Sequence, residues 1–535
     1  MKCMKSEVWN YLLTIEPDEN ERWKKFETFY TKIYLQNHPR FSKQYKKIIT
    51  WRDWKDKPHK DEIGIDLVGI DYDDNITAIQ AKCYSPTSTI GKRDIDSFLN
   101  TSSLGIYKDR LLIGTTNLIG KHSKTIIDLQ NSIKPIRTHL LEDLEENDFV
   151  EIVKSFPKKP KNKKRILKKQ IRKDQSNAIK TLLQHYDVEN RGQLIMACGT
   201  GKTITAIWLS EALKSETILW LSPSISLLSQ VLDDWYNSSN HNLENVIVVC
   251  SDSTAGTNEN EYITDYSFPS TTNKNEVASF VRKNGPKLIF STYDSSHIVY
   301  EAFKKNKKYL DFTIADEAHN LAGARQKTYT SVLKTDFPSR KILFMTATPR
   351  IYPPQFESIK NQNIDKTIEI TDMSNIEQFG KEVFELTLGE AIDLGILADY
   401  KIIISGTNEN IDSNKNEFIR INKEKNIDKE TYIKALDVLN IIKTKKIKSI
   451  ISFHNRNISA KRFSDLLAYL GLNALSVSSS NNIRERKNRI AELKNQKNQP
   501  VLLANAHILT EGINVPELDS VVFIDPRKSI RSIVQ

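Results

Sequence analysis

"LIMACGTGKTITAIWLSEAL", residues 194–213, places an apolar run, a glycine turn and an amphipathic stretch in direct succession. The first reads as a buried strand and the last as a helix. Gly199 and Gly201 carry no side chains, so the backbone N–H groups of the turn, Thr200 included, can converge on a phosphate. The helix that follows directs its positive dipole end at the same anion. Lys202 is placed to reach β- and γ-phosphates, and the Thr203 hydroxyl is placed to bind Mg²⁺. The strict pattern for such a loop has a glycine where Met196 stands.

Other stretches supply the rest of a nucleotide site. "DFTIADEAHN", residues 311–320, sets Asp316 and Glu317 at the end of an apolar strand. There Asp316 is suited to holding Mg²⁺ through water, and Glu317 to orienting an attacking water. "KILFMTATPR", residues 341–350, is another buried strand and ends in Thr346, Ala347 and Thr348, hydroxyls placed to sense the γ-phosphate. "LWLSPSISLLSQ" and "LIFSTYDS" are further apolar strands ending in polar loops. Strands alternating with helices predict a parallel sheet with its ligand at the strand C-terminal ends.

A second set begins near residue 390. "KIIISGT", "SIISFHNR", "ALSVSSS", "VLLANA" and "SVVFIDP" are five strand candidates separated by helical patterns. "VLLANAHILTEGINVPELD", residues 501–519, runs into a loop with Glu511, Gly512 and Pro516. A second α/β sheet with no phosphate loop of its own is what a two-lobed motor requires.

Residues 165–535 resemble a superfamily-2 helicase or translocase with two RecA-like lobes. The resemblance rests on "RKDQSNAI", "ACGTGKT", "DEAH", "TATP" and "TEGINVP", which occur in the family's order. It implies ATP hydrolysis coupled to movement on nucleic acid, with Gln175 on the adenine and Gly512 among the nucleotide contacts. Asn514 stands where relatives carry Asp.

Upstream, "KDEIGIDLVGID" and "NITAIQAKCY" are two alternating strands joined by the polar turn "DYDDN". Paired antiparallel, they bring Asp66, Gln80 and Lys82 to one place, and Gln80 and Lys82, two apart, share a face. A carboxylate that binds Mg²⁺ beside a lysine that positions water suits phosphodiester hydrolysis. Glu27, on the helical stretch "ENERWKKFETFYTKIYLQN", is a further candidate ligand. The letters alone equally describe a hairpin with a solvated polar face. The segment resembles an Mrr-like restriction nuclease of the PD-(D/E)xK fold in its "QAK" form, and the likeness continues through "DIDSFL" and "RLLIGTTN". That implies Asp66 and Gln80 as metal ligands. Gln80 is an amide where many nucleases have Glu, which leaves the metal one charged ligand fewer.

A nuclease followed by a motor is similar to the start of a type ISP restriction–modification enzyme. The predicted fold is α/β, a restriction-endonuclease-like domain plus two tandem RecA-like parallel-sheet lobes. The expected boundaries are a nuclease at 1–155, a basic linker at 156–170, lobe 1 at 171–388 and lobe 2 at 389–535. Rival readings are a motor subunit of a type I restriction complex and a superfamily-2 motor with a non-catalytic DNA-binding adaptor. The last stretch, "DPRKSIRSIVQ", is similar to the family's entry into its final motif, so the chain is expected to be part of a longer enzyme. The resemblance implies that methyltransferase and target-recognition domains lie in the same or a separate chain.

Composition agrees with this reading. A net charge of +11 favours a polyanionic partner, here double-stranded DNA. "KSFPKKPKNKKRILKKQIRKDQ", residues 154–175, opens as a proline-bearing basic linker. No apolar run approaches the roughly 18 residues of a membrane span. The four cysteines are far apart and form no metal or disulfide pattern, so a cytoplasmic location is expected.

Overall fold

The computed structural model describes residues 6–58, 64–131, 134, 136–146, 148–154, 170–241, 245–250, 270–324, 331–351, 358–359, 368–404, 415–425, 427–478, 481, 489–490, 492–493, 499–506 and 518–525. The basic linker 156–169, the Glu511–Gly512–Pro516 loop with Asn514, and residues 526–535 lie outside them. The chain divides into two units, one holding most of residues 1–391 and the other most of 392–535.

The N-terminal part of the first unit is a five-stranded mixed sheet. Its strands are β1 (Tyr45–Thr50), β2 (Leu67–Asp71), β3 (Ile76–Lys82), β4 (Tyr107–Gly114) and β5 (Arg137–His139), in that spatial order. β1–β3 pair antiparallel, and β3, β4 and β5 pair in parallel. Packed against this sheet is one long helical stretch, α1 (Glu19–Lys25), a π-helical turn (Phe26–Tyr30) and α2 (Thr31–Asn37). Asp18 caps it by accepting from the Glu21 N–H. Phe26, Tyr30, Ile33 and Tyr34 turn inward onto Ile79, Ala81, Leu111 and Ile113. This is the apolar stripe a core-facing helix needs.

The same unit contains a seven-stranded sheet. It is built from β6 (Arg191–Met196), β7 (Thr217–Ser222), β8 (Val246–Val249), β9 (Lys287–Thr292) and β10 (Leu310–Asp316), together with β12 (Ser339–Thr346) and β15 (Lys381–Leu386). The short β11 (Gly323–Ala324), β13 (Ser358–Ile359) and β14 (Ile368–Thr371) form a small separate sheet. The large sheet runs β15-β6-β12-β10-β7-β9-β8, and every pairing in it is parallel. Nearly every residue of β6, β7, β9 and β10 is buried, the signature of strands covered on both faces. The covering helices include α3 (Lys173–Tyr186), α4 (Lys202–Ala212) and α5 (Ser296–Lys305).

The two sheets of this unit meet through charges. Lys108 is the extra residue of a β-bulge in β4, and its Nζ lies 2.8 Å from Glu276 Oε1. Lys283 Nζ lies 2.5 Å from Asp73 Oδ2, and Lys43 Nζ donates to Tyr236 O at 3.4 Å.

The second unit has a four-stranded parallel sheet in the order β17-β18-β16-β19. Its strands are β16 (Ser449–Phe453), β17 (Asn473–Val477), β18 (Val501–Asn505) and β19 (Ser520–Phe523). Helices α6 (Lys429–Lys445) and α7 (Asn457–Tyr469) supply Tyr432, Ala435, Phe463 and Leu467 to its core. Four of the five strands expected here are present. The exception is "KIIISGT": its described residues, 401–404, pair with no strand among the described residues, and Ile402 and Ile404 are 77% and 91% exposed. A β-branched run reads as a strand in sequence, but propensity alone does not pair it.

The fold is thus mixed α/β, a five-stranded mixed sheet followed by two parallel sheets. Among the described residues, no helix is long and apolar enough to cross a membrane.

Candidate active sites

The N-terminal site forms where the β2–β3 hairpin meets the π-turn. Asp66 directly precedes β2. Its N–H donates to Ile79 O at 3.0 Å, which extends the hairpin pairing by one residue. Its Oδ2 accepts from the Ala81 N–H at 2.7 Å. Ala81 lies between Gln80 and Lys82, so the backbone bond ties Asp66 to the stretch of β3 that carries both. Lys82 Nζ stands 3.7 Å from Glu27 Oε1, with both side chains largely buried.

Glu27 is the second residue of the π-turn, where the helix widens by one residue, a distortion frequent at functional sites. The turn is anchored by Glu16, whose Oε1 accepts from Tyr30 Oη at 2.7 Å and from Lys25 Nζ at 2.6 Å. Those bonds, the Lys25 one foremost, hold the Glu16 carboxyl below its ordinary range.

Gln80 is 2% exposed, and its Oε1 has no hydrogen-bond partner among the described residues. A buried, unpartnered amide oxygen costs about 1–3 kcal/mol unless something meets it. A hard divalent cation, which takes oxygen ligands, meets that need. No group of three or more His, Cys, Asp or Glu suited to a metal occurs among the described residues. Asp66, the Gln80 amide and Glu27 would offer a mixed set of oxygen donors, a chemistry that fits a hard divalent cation.

The second site lies at the C-terminal edge of the seven-stranded sheet. Along that edge β6, β12 and β10 are neighbours, so the glycine loop, Thr346 and the Asp316–Glu317 pair stand in a row. Gly199 and Gly201 have φ of 80° and 87°, left-handed values that favour glycine. At Gly201 a Cβ would also lie 2.8 Å from Gln175 Nε2.

Lys202 Nζ donates to Met196 O at 3.2 Å and Thr200 Oγ1 to Ala197 O at 2.6 Å, so both side chains brace the loop. Thr203 is in the first turn of α4. Gln175 is buried at the start of α3, its amide 3.5 Å from Gly201 O and its Oε1 accepting from Arg172 N at 3.2 Å. It therefore spans the helix start and the phosphate loop, where its side chain shapes the loop. Arg172, which the sequence reading overlooked, pairs bidentately with Asp174 and also donates to Thr200 O.

At the end of β10, Asp316 Oδ1 accepts from the Glu317 N–H at 2.9 Å. Glu317 has a φ of 48°, a left-handed conformation costing a non-glycine residue about 1–3 kcal/mol. In it, Glu317 Oε2 lies 3.5 Å from Thr346 Oγ1 and 3.4 Å from His319 Nδ1. His319 is fully buried and bonds Thr346 Oγ1 at 2.7 Å. The water-orienting candidate is thus linked to the β12 loop through a histidine that sequence reasoning passed over. A histidine two residues past the acidic pair was the available signal. Gly512 lies outside the described residues.

Comparison with known proteins bears on the domains that carry these residues. Residues 36–161 match a family described as a restriction endonuclease. Residues 168–351 match the family of the type III restriction enzyme res subunit, and residues 431–535 the helicase conserved C-terminal domain. The chain therefore joins a restriction-endonuclease domain to a superfamily-2 helicase. The structure of the ATP-dependent type ISP restriction–modification enzyme LlaBIII bound to DNA aligns with a TM-score of 0.80 and 26% identity, covering 98% of this chain and 36% of that one.

Two curated relatives are probable helicases A859L of African swine fever virus. The Tick/Malawi isolate is 29% identical over 354 residues, 66% of this chain and 37% of the relative. The Badajoz strain is 29% identical over 349 residues, 64% and 36% respectively. The chain thus spans little more than a third of the length of these relatives. Helicase and nuclease domains of these families imply use of a nucleotide and a divalent metal.

Proposed function

We propose that this chain is an ATP-dependent DNA translocase fused to a Mg²⁺-dependent endonuclease, acting in a restriction system. The observation that carries the reading is the presence of both sites in one chain. Asp66, Gln80, Lys82 and Glu27 gather in the nuclease domain, and a phosphate loop lies in line with Asp316 and Glu317 in the motor.

In the nuclease, Asp66 and Gln80 hold Mg²⁺, with Glu27 as a further ligand; the ion supplies charge neutralisation at the scissile phosphate when bound. Asp66 is kept in place by the Ala81 N–H, and Lys82 is kept in place by Glu27. From there the Lys82 ammonium orients the attacking water and offsets negative charge developing on the phosphate.

In the motor, Lys202 exchanges its bond to Met196 O for the β- and γ-phosphates of ATP. Thr203 and Asp316 hold the Mg²⁺ that accompanies the nucleotide. Gln175 supports the loop and the adenine side of the site. Glu317 orients water toward the γ-phosphate, and His319 with Thr346 passes the state of that phosphate to the β12 loop. Double-stranded DNA is the partner, in keeping with the charge of +11. Methyltransferase and target-recognition functions are supplied by the same or a separate chain, in the cytoplasm. The test is paired: DNA-stimulated ATPase and plasmid cleavage on the parent, Lys202→Ala and Asp66→Ala. Each substitution should silence its own site.

A further inference from the structure

We infer that Tyr293 is a positioning residue for ATP hydrolysis, holding Glu317 in the conformation from which it addresses water. The inference rests on the motor reading above. Tyr293 directly follows β9, and Asp316 ends β10; in the sheet β7 lies between them. The Tyr293 side chain is fully buried and crosses the end of β7 to donate its Oη to the Asp316 carbonyl at 2.6 Å.

That carbonyl belongs to the peptide joining Asp316 to Glu317. The N–H of the same peptide donates to Asp316 Oδ1 at 2.9 Å. The peptide is therefore clamped on both sides just before a residue with a φ of 48°. A left-handed glutamate persists only where its surroundings over-determine it. The clamp supplies part of that restraint, and the Glu317 carbonyl, accepting from Asn320 N at 3.0 Å, supplies more.

Tyr293 is itself fixed from two directions. Its N–H donates to Ser222 O at 3.0 Å at the end of β7, and its carbonyl accepts from Ser296 Oγ at 2.7 Å at the start of α5. Ser296 Oγ also meets Ser331 Oγ at 2.6 Å. A shift of the β9–α5 loop is thus transmitted through one phenol to the peptide that aims Glu317. Without the phenol oxygen the peptide can rotate toward ordinary backbone angles, carrying the carboxylate away from Thr346 and His319.

The test is Tyr293→Phe, which keeps the ring and removes the one oxygen. We expect kcat for DNA-stimulated ATP hydrolysis to fall about tenfold, the scale of one well-made buried hydrogen bond, with KM for ATP little changed. ATP affinity measured by calorimetry should match the parent. In a Glu317→Gln background the same change should cost nothing further, since the group being aimed is already gone. Equal kcat in the variant and an active parent overturns the inference alone. So does weakened ATP binding, which marks a structural role, or a full additional loss in the Glu317→Gln background. A parent without ATPase overturns the motor reading, and the inference with it.

Discussion

Lys82 Nζ lies 3.7 Å from Glu27 Oε1, joining strand β3 to the π-turn across a largely buried gap. The pair ties together segments 55 residues apart in sequence, by the difference of their numbers. Removing one partner of a buried pair leaves the other uncompensated, so the two residues should not be independent. Lys82→Ala is expected to reduce DNA cleavage by about a hundredfold or more, the usual cost of losing a preorganised charge. Glu27→Gln should act chiefly by raising the Mg²⁺ concentration needed for half-maximal cutting. A metal titration of the cleavage rate in each variant checks this, and unchanged Mg²⁺ dependence in Glu27→Gln would remove Glu27 from the ligand set.

Gln80 invites a gain of function. Its unpartnered Oε1 is buried, and a carboxylate there would add a charged ligand. Gln80→Glu should lower the Mg²⁺ requirement for cleavage while destabilising the metal-free protein, because an ionised carboxylate is costly to bury. Thermal unfolding with and without Mg²⁺ reads both effects; a melting temperature insensitive to Mg²⁺ would place the metal elsewhere.

At the motor, Lys202→Ala should weaken ATP binding by at least about tenfold, through loss of its phosphate contact. Glu317→Gln should retain binding but slow hydrolysis by about 10²–10⁴-fold, the range for a lost acid–base group. Calorimetry for binding and a coupled assay for turnover separate the two. Parental ATP affinity in Lys202→Ala would mean that the glycine loop is not the phosphate site.

Two groups next to Lys82 favour the folded state less as pH rises into the alkaline range. Burial pushes the Cys83 thiol and the Tyr84 phenol up to about 12, from ordinary values of 9.0 and 10.0. Folded-state values above the unfolded ones mean that the stabilisation is complete below pH 9 and is lost as pH rises toward 12. The unfolded chain releases those protons first. Each contributes a slope of at most about 1.4 kcal/mol per pH unit. Denaturant titrations from pH 8 to 11 should show the decline, and Cys83→Ala should flatten it between pH 9 and 11. An unchanged slope in that variant would assign the decline to other groups.

Much of this was legible in sequence because strong local rules apply. The glycine loop, the acidic strand end and the Thr346 strand each combine an apolar run with residues placed by the strand terminus, and all three fall on one sheet edge. The placement of Asp66 beside β2 and of Gln80 and Lys82 on β3 was readable from the period of two and a short turn. Less legible was what tertiary packing decides. The π-turn beneath Glu27 leaves no mark on helical periodicity, and β1 is short and carries charged residues on its open side. Arg172, His319 and Tyr293 act through hydrogen bonds to backbone or hydroxyl groups on other elements, which no spacing rule encodes. Ile402–Ile404 misled because a β-branched run carries strand propensity whether or not it is paired, and here it lies exposed.

The central claim is that one chain cuts DNA and hydrolyses ATP at separate sites. The most direct measurement is plasmid cleavage and DNA-stimulated ATPase on the same purified preparations of the parent and Asp66→Ala. Loss of the Asp66 carboxylate, with its bond to the Ala81 N–H, should abolish Mg²⁺-dependent cutting and leave ATP turnover at the parental rate. Cutting that persists in Asp66→Ala after purification to constant specific activity would contradict the account.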